Sequence, residues 1–166
     1  RSSDLVQTVS GADLDRSHAT SIGGFMNRML GSVHVNEVQN NPFQPDVNFR
    51  GFTASPLLGT PQGLSVYVDG VRMNQPFGDV VNWDMFPEAA IDTVTLVPGS
   101  NPMYGLNTLG GALAFTTKSG LTTQGNEVVS TFGSFGRIKL DTTHGSKSAN
   151  GWHRFIAITA FDETGW

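Results

Sequence analysis

The sequence predicts a compact α+β domain followed by long antiparallel strands, and three observations carry that prediction. Only 14% of the 166 residues are charged and glycine occurs 20 times, against about 25% and about 7% in ordinary soluble domains. Such a chain is built of strands and turns more than of helices. Up to Gly120, β-like runs and short helical patterns mix without a sustained strand–helix–strand rhythm, which argues against a doubly wound parallel sheet. Past Gly120 the apolar residues fall on alternate positions over long stretches.

The elements follow in order. Leu5-Val6-Gln7-Thr8-Val9 is β-compatible, and Ser10 or Asp13 is placed to cap a helix after it. Ile22, Phe25, Met26, Met29 and Leu30 recur at helical spacing before Gly31, predicting a helix over 19–30. Residues 47–52 alternate at period two, which puts Arg50 on a strand. Two β-rich runs surround Asp69-Gly70, a dipeptide suited to a tight hairpin turn because it tolerates positive φ. A short helix is expected at Pro87-Glu88-Ala89-Ala90, then strands over 91–97 and 112–117.

From 127 to 141, Val128, Phe132, Ile138 and Leu140 occupy even positions, and Glu127, Thr131, Arg137, Lys139 and Asp141 occupy odd ones. This predicts one long strand with an apolar and a polar face. A turn is expected over 144–151 and a second long strand over 152–162. Two such strands have the length that spans a bilayer, roughly 9–11 residues, yet closing a barrel takes about eight.

Composition excludes several functions. A net charge of -4 offers no footprint for nucleic acid. There is no cysteine and no 18-residue apolar run, hence no disulfide, thiolate site or membrane helix. His18, His34, His144 and His153 lack metal-site spacing, and no metal or cofactor is expected. Asp79, Asp84 and Glu88 have no nucleophile and base to complete a catalytic set. Gly105, Gly110 and Gly111 lead into a strand, so they permit turns and close packing and do not cradle phosphate. Gly51, Asp69, Gly70 and Tyr104 are read as turn positions with them.

Five segments in sequence carry a family signature: Asn48-Phe49-Arg50-Gly51-Phe52; the run 66–74; Phe86-Pro87; the strand 91–97; and Met103-Tyr104-Gly105 through Gly110-Gly111 to Thr116-Thr117-Lys118. Together they resemble the plug domain of TonB-dependent outer-membrane receptors. The resemblance implies a plug over 1–120 with a small mixed sheet and short helices. Residues 121–166 would then be the first two antiparallel strands of a transmembrane β-barrel. It further implies an outer-membrane transporter, not an enzyme, that takes up a scarce nutrient such as an iron–siderophore. The partner TonB would pull on a box expected upstream of Leu5. Arg50 matches one of two arginines that lock plug to barrel carboxylates, and Pro98 stands where the second is usual.

Three polar, proline-stiffened loops, 40–45, 53–63 and 75–84, carry amides and aromatics. Stiff loops lose little ordering entropy on binding. Asn40, Asn41, Phe43, Gln44, Gln75, Phe77, Asp79 and Trp83 are therefore the candidate ligand-facing residues. The alternative is a secreted or periplasmic α+β ligand-binding module whose last strands join its own sheet.

Overall fold

A computed structural model of the chain describes residues 6–17, 19, 21–37, 41, 43–86 and 88–164. The chain divides into two units, Arg1–Phe86 with Asp92–Thr116, and Pro87–Ile91 with Thr117–Trp166.

The first unit opens with β1 (Gln7–Ser10) and α1 (Gly11–Ser17). Ser10 and Asp13 form a capping box: the Asp13 amide donates to Ser10 Oγ at 3.3 Å, and the Ser10 hydroxyl returns a bond to Asp13 Oδ2 at 2.7 Å. The Ser10 side chain and amide hold the Asp13 carboxyl below its ordinary range. This support of the helix start is present above the ordinary carboxylate pKa and is lost as the pH falls through the lowered one. The second helix, α2, spans Ile22–Met29 and starts later than the periodicity predicts. Ser21 stays extended and accepts the Gly24 amide at 3.1 Å, fixing the first turn there. Gly23 brings the helix close to the sheet: a Cβ there would lie 3.0 Å from Pro45 and 3.1 Å from Val35.

Strands β2 (Val33–Glu37), β3 (Pro45–Phe49) and β4 (Phe52–Ala54) form an antiparallel sheet in that order. A five-stranded mixed sheet has the order β1-β7-β8-β5-β6, from β5 (Leu64–Val68), β6 (Val71–Arg72), β7 (Ile91–Pro98) and β8 (Gly111–Thr117). Strands β5 and β8 run parallel with Leu64 opposite Gly111. Phe25, Met26, Val47, Phe49, Leu64, Val66, Leu96 and Leu113 fill the core. Trp83, expected on a ligand-facing loop, is packed in this core: it is 2% exposed. Its ring lies 4.9 Å from that of Phe86 and 6.1 Å from that of Phe115. Its indole N–H donates to the Ala54 carbonyl at 3.0 Å, the partner a buried tryptophan needs.

The second unit holds β9 (Gly125–Phe132), β10 (Ile138–Lys147) and β11 (His153–Asp162), an antiparallel meander. Three long strands thus stand where two are expected, because 127–141 is a hairpin. A 3-10 turn, Ser134–Gly136, reverses the chain, with Phe135 at φ 59° and Gly136 at φ 70°. Arg137 braces the reversal, donating twice to the Glu163 carboxylate at 3.0 and 3.2 Å. The alternation survives the reversal because cross-strand partners share parity, as in Phe132 with Ile138 and Val128 with Thr142. Even positions therefore keep one face through all three strands.

On that face Val128, Phe132, Ile138, Leu140, Ile156 and Ile158 are exposed, whereas Lys139, Thr143 and Gly145 on the odd face are buried. Residues 144–147, expected in a turn, continue β10. Gly145 is there for contact: a Cβ would stand 1.8 Å from the Thr123 carbonyl oxygen. Gly145→Ala is expected to destabilise the meander by about 1–3 kcal/mol through overpacking against backbone. Hydrogen exchange should accelerate in β9–β11 and stay unchanged in the five-stranded sheet.

Candidate functional site

The register of β3 on β4 sorts the loops. Val47 faces Ala54 and Phe49 faces Phe52. Residues 43–44 and the loop after Ala54 therefore leave the sheet at one end, and Arg50-Gly51 closes the hairpin at the other. Arg50 is a turn residue and not a strand residue, with φ 51°, followed by Gly51 at φ 87°. The alternation breaks there because the two positions form the tight reversal. The exposed guanidinium lies over the Phe49 ring at 5.1 Å.

The loop after β4 is knitted by one side chain. The Ser55 amide donates to Gln62 Oε1 at 3.1 Å. Gln62 Nε2 lies within reach of the Ser55 and Leu57 carbonyls at 3.2 Å each and of Thr60 Oγ1 at 2.9 Å. The neighbouring loop, 75–80, is held alongside: the Val81 amide donates to the Ser55 carbonyl at 2.9 Å. Leu58 lies against Gly78, where a Cβ would fall 2.2 Å from Leu58 Cδ2. Phe77 and Leu58 stand out from this frame, 78% and 61% exposed.

Buried Asn74 supports the second loop. It accepts the Val66 amide at 2.7 Å and donates to the Leu64 and Asp79 carbonyls at 3.0 and 3.3 Å. The Asp79 carboxylate is engaged within the fold and presents no free charge: Arg72 donates to it at 2.9 Å, and Asn107 donates to its other oxygen. Gln75 is exposed, as is Asn41, whose side chain accepts the Phe43 amide at 3.0 Å. Phe43 and Gln44 are half-buried. Asn40 lies outside the described residues.

The loop before β8 completes this surface. Tyr104 ends a 3-10 turn, Pro102–Tyr104, and its carbonyl accepts the Tyr67 hydroxyl. Asp69, Gly70 and Gly105 take positive φ at 48°, 80° and 72°. Gly110 and Gly111 allow close approach: a Cβ would meet Phe52 and the Val97 carbonyl oxygen respectively, each at 2.6 Å. Leu106 and Met103 are exposed. Among the described residues no three His, Asp or Glu gather to hold a metal.

Sequence reasoning missed Gln62, Asn74 and a pair inside the strand unit. Glu88, in the 3-10 turn Glu88–Ala90, meets Lys139 at 2.6 Å, and Asp141 approaches the same ammonium at 3.4 Å. The available signal was a lysine on the inward face, which requires carboxylates. Asn74→Ala is expected to cost about 2 kcal/mol, since it strands buried backbone groups of β5. Asn74→Asp should restore little because a carboxylate cannot donate. Denaturant unfolding of both variants checks this.

The chain matches the TonB-dependent Receptor Plug Domain family over residues 1–112. No curated protein sequence matches it. Among solved structures it is similar to the FrpB iron transporter from Neisseria meningitidis, at 15% identity and a TM-score of 0.74, covering 97% of this chain and 25% of that one. It is similar to the ferric yersiniabactin uptake receptor FyuA from Yersinia pestis, at 18% identity and a TM-score of 0.67, covering 97% and 24%. The siderophore receptor PiuA from Acinetobacter baumannii gives 19% and 0.69, covering 96% and 21%. At these identities the likeness concerns the fold, and the chain spans about a quarter of those proteins' length. With 112 of its 166 residues inside the family match, the chain belongs to the TonB-dependent receptor plug domain family.

Proposed function

We propose that the chain is the plug and opening strands of an outer-membrane receptor that takes up a scarce nutrient, such as an iron–siderophore, with energy delivered through TonB. The observation that carries this reading is the pair Leu58 and Phe77. Two large apolar side chains stand in solvent on loops whose backbones are held by the side-chain amides of half-buried Gln62 and buried Asn74. Such groups are preorganised for a ligand, so little ordering entropy opposes binding. Gln75, exposed two positions before Phe77, supplies a hydrogen-bonding group on the same loop, and Asn41 is exposed on the loop before β3.

The boundary near residue 120 is part of the proposal, with β9–β11 as membrane strands. Strands of 8–10 residues support it. Ten residues at ~3.3 Å each reach ~33 Å, and a tilt of about 45° brings that near the ~25 Å apolar band of an outer-membrane barrel. An exposed even face with six large apolar side chains suits lipid and is a liability in water. That face weighs against the soluble binding module. Arg50 is proposed as a lock whose exposed guanidinium meets carboxylates elsewhere in the receptor. The hairpin tip that presents it supports this role.

Two measurements test the reading. Leu58→Ala with Phe77→Ala is expected to weaken ligand binding by the whole receptor about tenfold or more, at about 1 kcal/mol or above per truncated contact. Binding unchanged in the folded double variant counts against the loop site. Arg50→Ala should lower the denaturant midpoint of the plug in the whole receptor. An unchanged midpoint removes the lock.

A further inference from the structure

The β10–β11 hairpin ends in a cleft that the transport reading leaves unused. Its volume is about 360 Å³, and it is lined by Ser146, Lys147, Ser148, Trp152, His153 and Arg154. The turn is fixed by its backbone, the Ser148 amide donating to the Trp152 carbonyl at 2.7 Å and the Gly151 amide to the Ser148 carbonyl at 3.1 Å. Register puts Ser146 opposite Arg154 and Lys147 opposite His153. Arg154 Nε donates to Ser146 Oγ at 2.9 Å, which ties the guanidinium to its cross-strand partner.

The lining is electrostatically one-sided. It contains two full cations and two serine hydroxyls but no carboxylate. Among the described residues neither Lys147 nor Arg154 has an acidic partner within ion-pair distance. Arg154 and Ser146 share the even face, and Lys147, on the odd face, lines the same cleft at the strand end. A guanidinium with a hydroxyl and an ammonium at one cleft is a donor set for a tetrahedral oxyanion, phosphate above all. The surroundings choose the source of that phosphate. Trp152 is 81% exposed, and it shares the even face with exposed Ile156 and Ile158 further along β11. An exposed tryptophan between an apolar face and a cationic cleft has the amphipathic arrangement of the bilayer interface.

We infer that the end of the β10–β11 hairpin binds the headgroup phosphate of a membrane phospholipid through Lys147 and Arg154, with Trp152 packed at the glycerol level. The inference rests on the reading of β9–β11 as membrane strands. Lys147 and Arg154 are exposed at the strand end, Lys147 on the odd face and Arg154 on the even one, so replacing them removes no buried side chain.

The test uses the whole receptor in bilayer nanodiscs with a phosphatidylglycerol analogue carrying a photoreactive group at the headgroup, crosslinks being mapped by peptide mass spectrometry. Labelling within 146–154 is expected to fall about tenfold in the Lys147→Gln, Arg154→Gln double variant, with labelling elsewhere unchanged. Charge reversal, Lys147→Glu with Arg154→Glu, should abolish it. Unchanged labelling in the variants overturns the inference. Equal labelling by a diacylglycerol probe lacking phosphate does the same, and so does loss of labelling on adding excess inorganic phosphate, which would mean a site for the free anion.

In an independent arm, Ile156→Cys and Ile158→Cys carry spin labels in a whole receptor with no other cysteine, this chain itself contributing none. Labels reached by a water-soluble relaxing agent but not by oxygen in lipid would sink the membrane-strand reading and the site with it. Lipid-accessible labels with unaltered crosslinking would sink the site alone.

Discussion

The site loops depend on side-chain amides acting as substitute backbone. Strand β6 pairs with β5 at two positions only, Tyr67 with Arg72 and Val68 with Val71. Below them the edge of β5 would be left with unpaired groups in a buried place. Asn74 meets both needs there, taking the Val66 amide and giving to the Leu64 carbonyl. Gln62 does the same for the loop after β4. Buried polar groups without partners cost more than most single contacts return. A segment this rich in turns can therefore be rigid only where such amides are supplied, and rigidity is what lets Leu58 and Phe77 remain in solvent without collapsing inward.

The same frame explains how charge is distributed. Arg72, Asp79 and Asn107 satisfy one another across three chain segments. The loop surface consequently shows apolar groups and amides, with its internal carboxylate neutralised. In the strand unit, Lys139 occupies the inward face between Glu88 and Asp141, and among the described residues the cations at the hairpin end have no such company.

Much of this was legible in the sequence, and the failures have physical causes. Local chemistry was readable: Asp69-Gly70 adopts the positive φ values its residue types favour, and Ser10 caps α1. The hairpin at 133–137 was hidden because its register preserves parity, so alternation alone cannot distinguish one strand from two. The cue was Gly133 and Gly136 with Ser134 between them. Trp83 looked like a loop aromatic because its neighbours Asn82 and Asp84 are polar, while its burial is decided by Ala54 and Phe115, distant in sequence. The partnership of Glu88 with Lys139 spans 51 positions, beyond any local pattern.

One consequence follows from the allocation of residues 87–91 to the strand unit. The polypeptide crosses between units after positions 86, 91 and 116, three times and not once. Each crossing is a covalent tether, and the first unit is thus assembled from two stretches of chain, 1–86 and 92–116, parted by five residues of the other. Unravelling from the leading end meets the first tether only at residue 86. More than three quarters of that unit therefore precedes the first crossing, and its last two strands' worth of chain is reached only after the second.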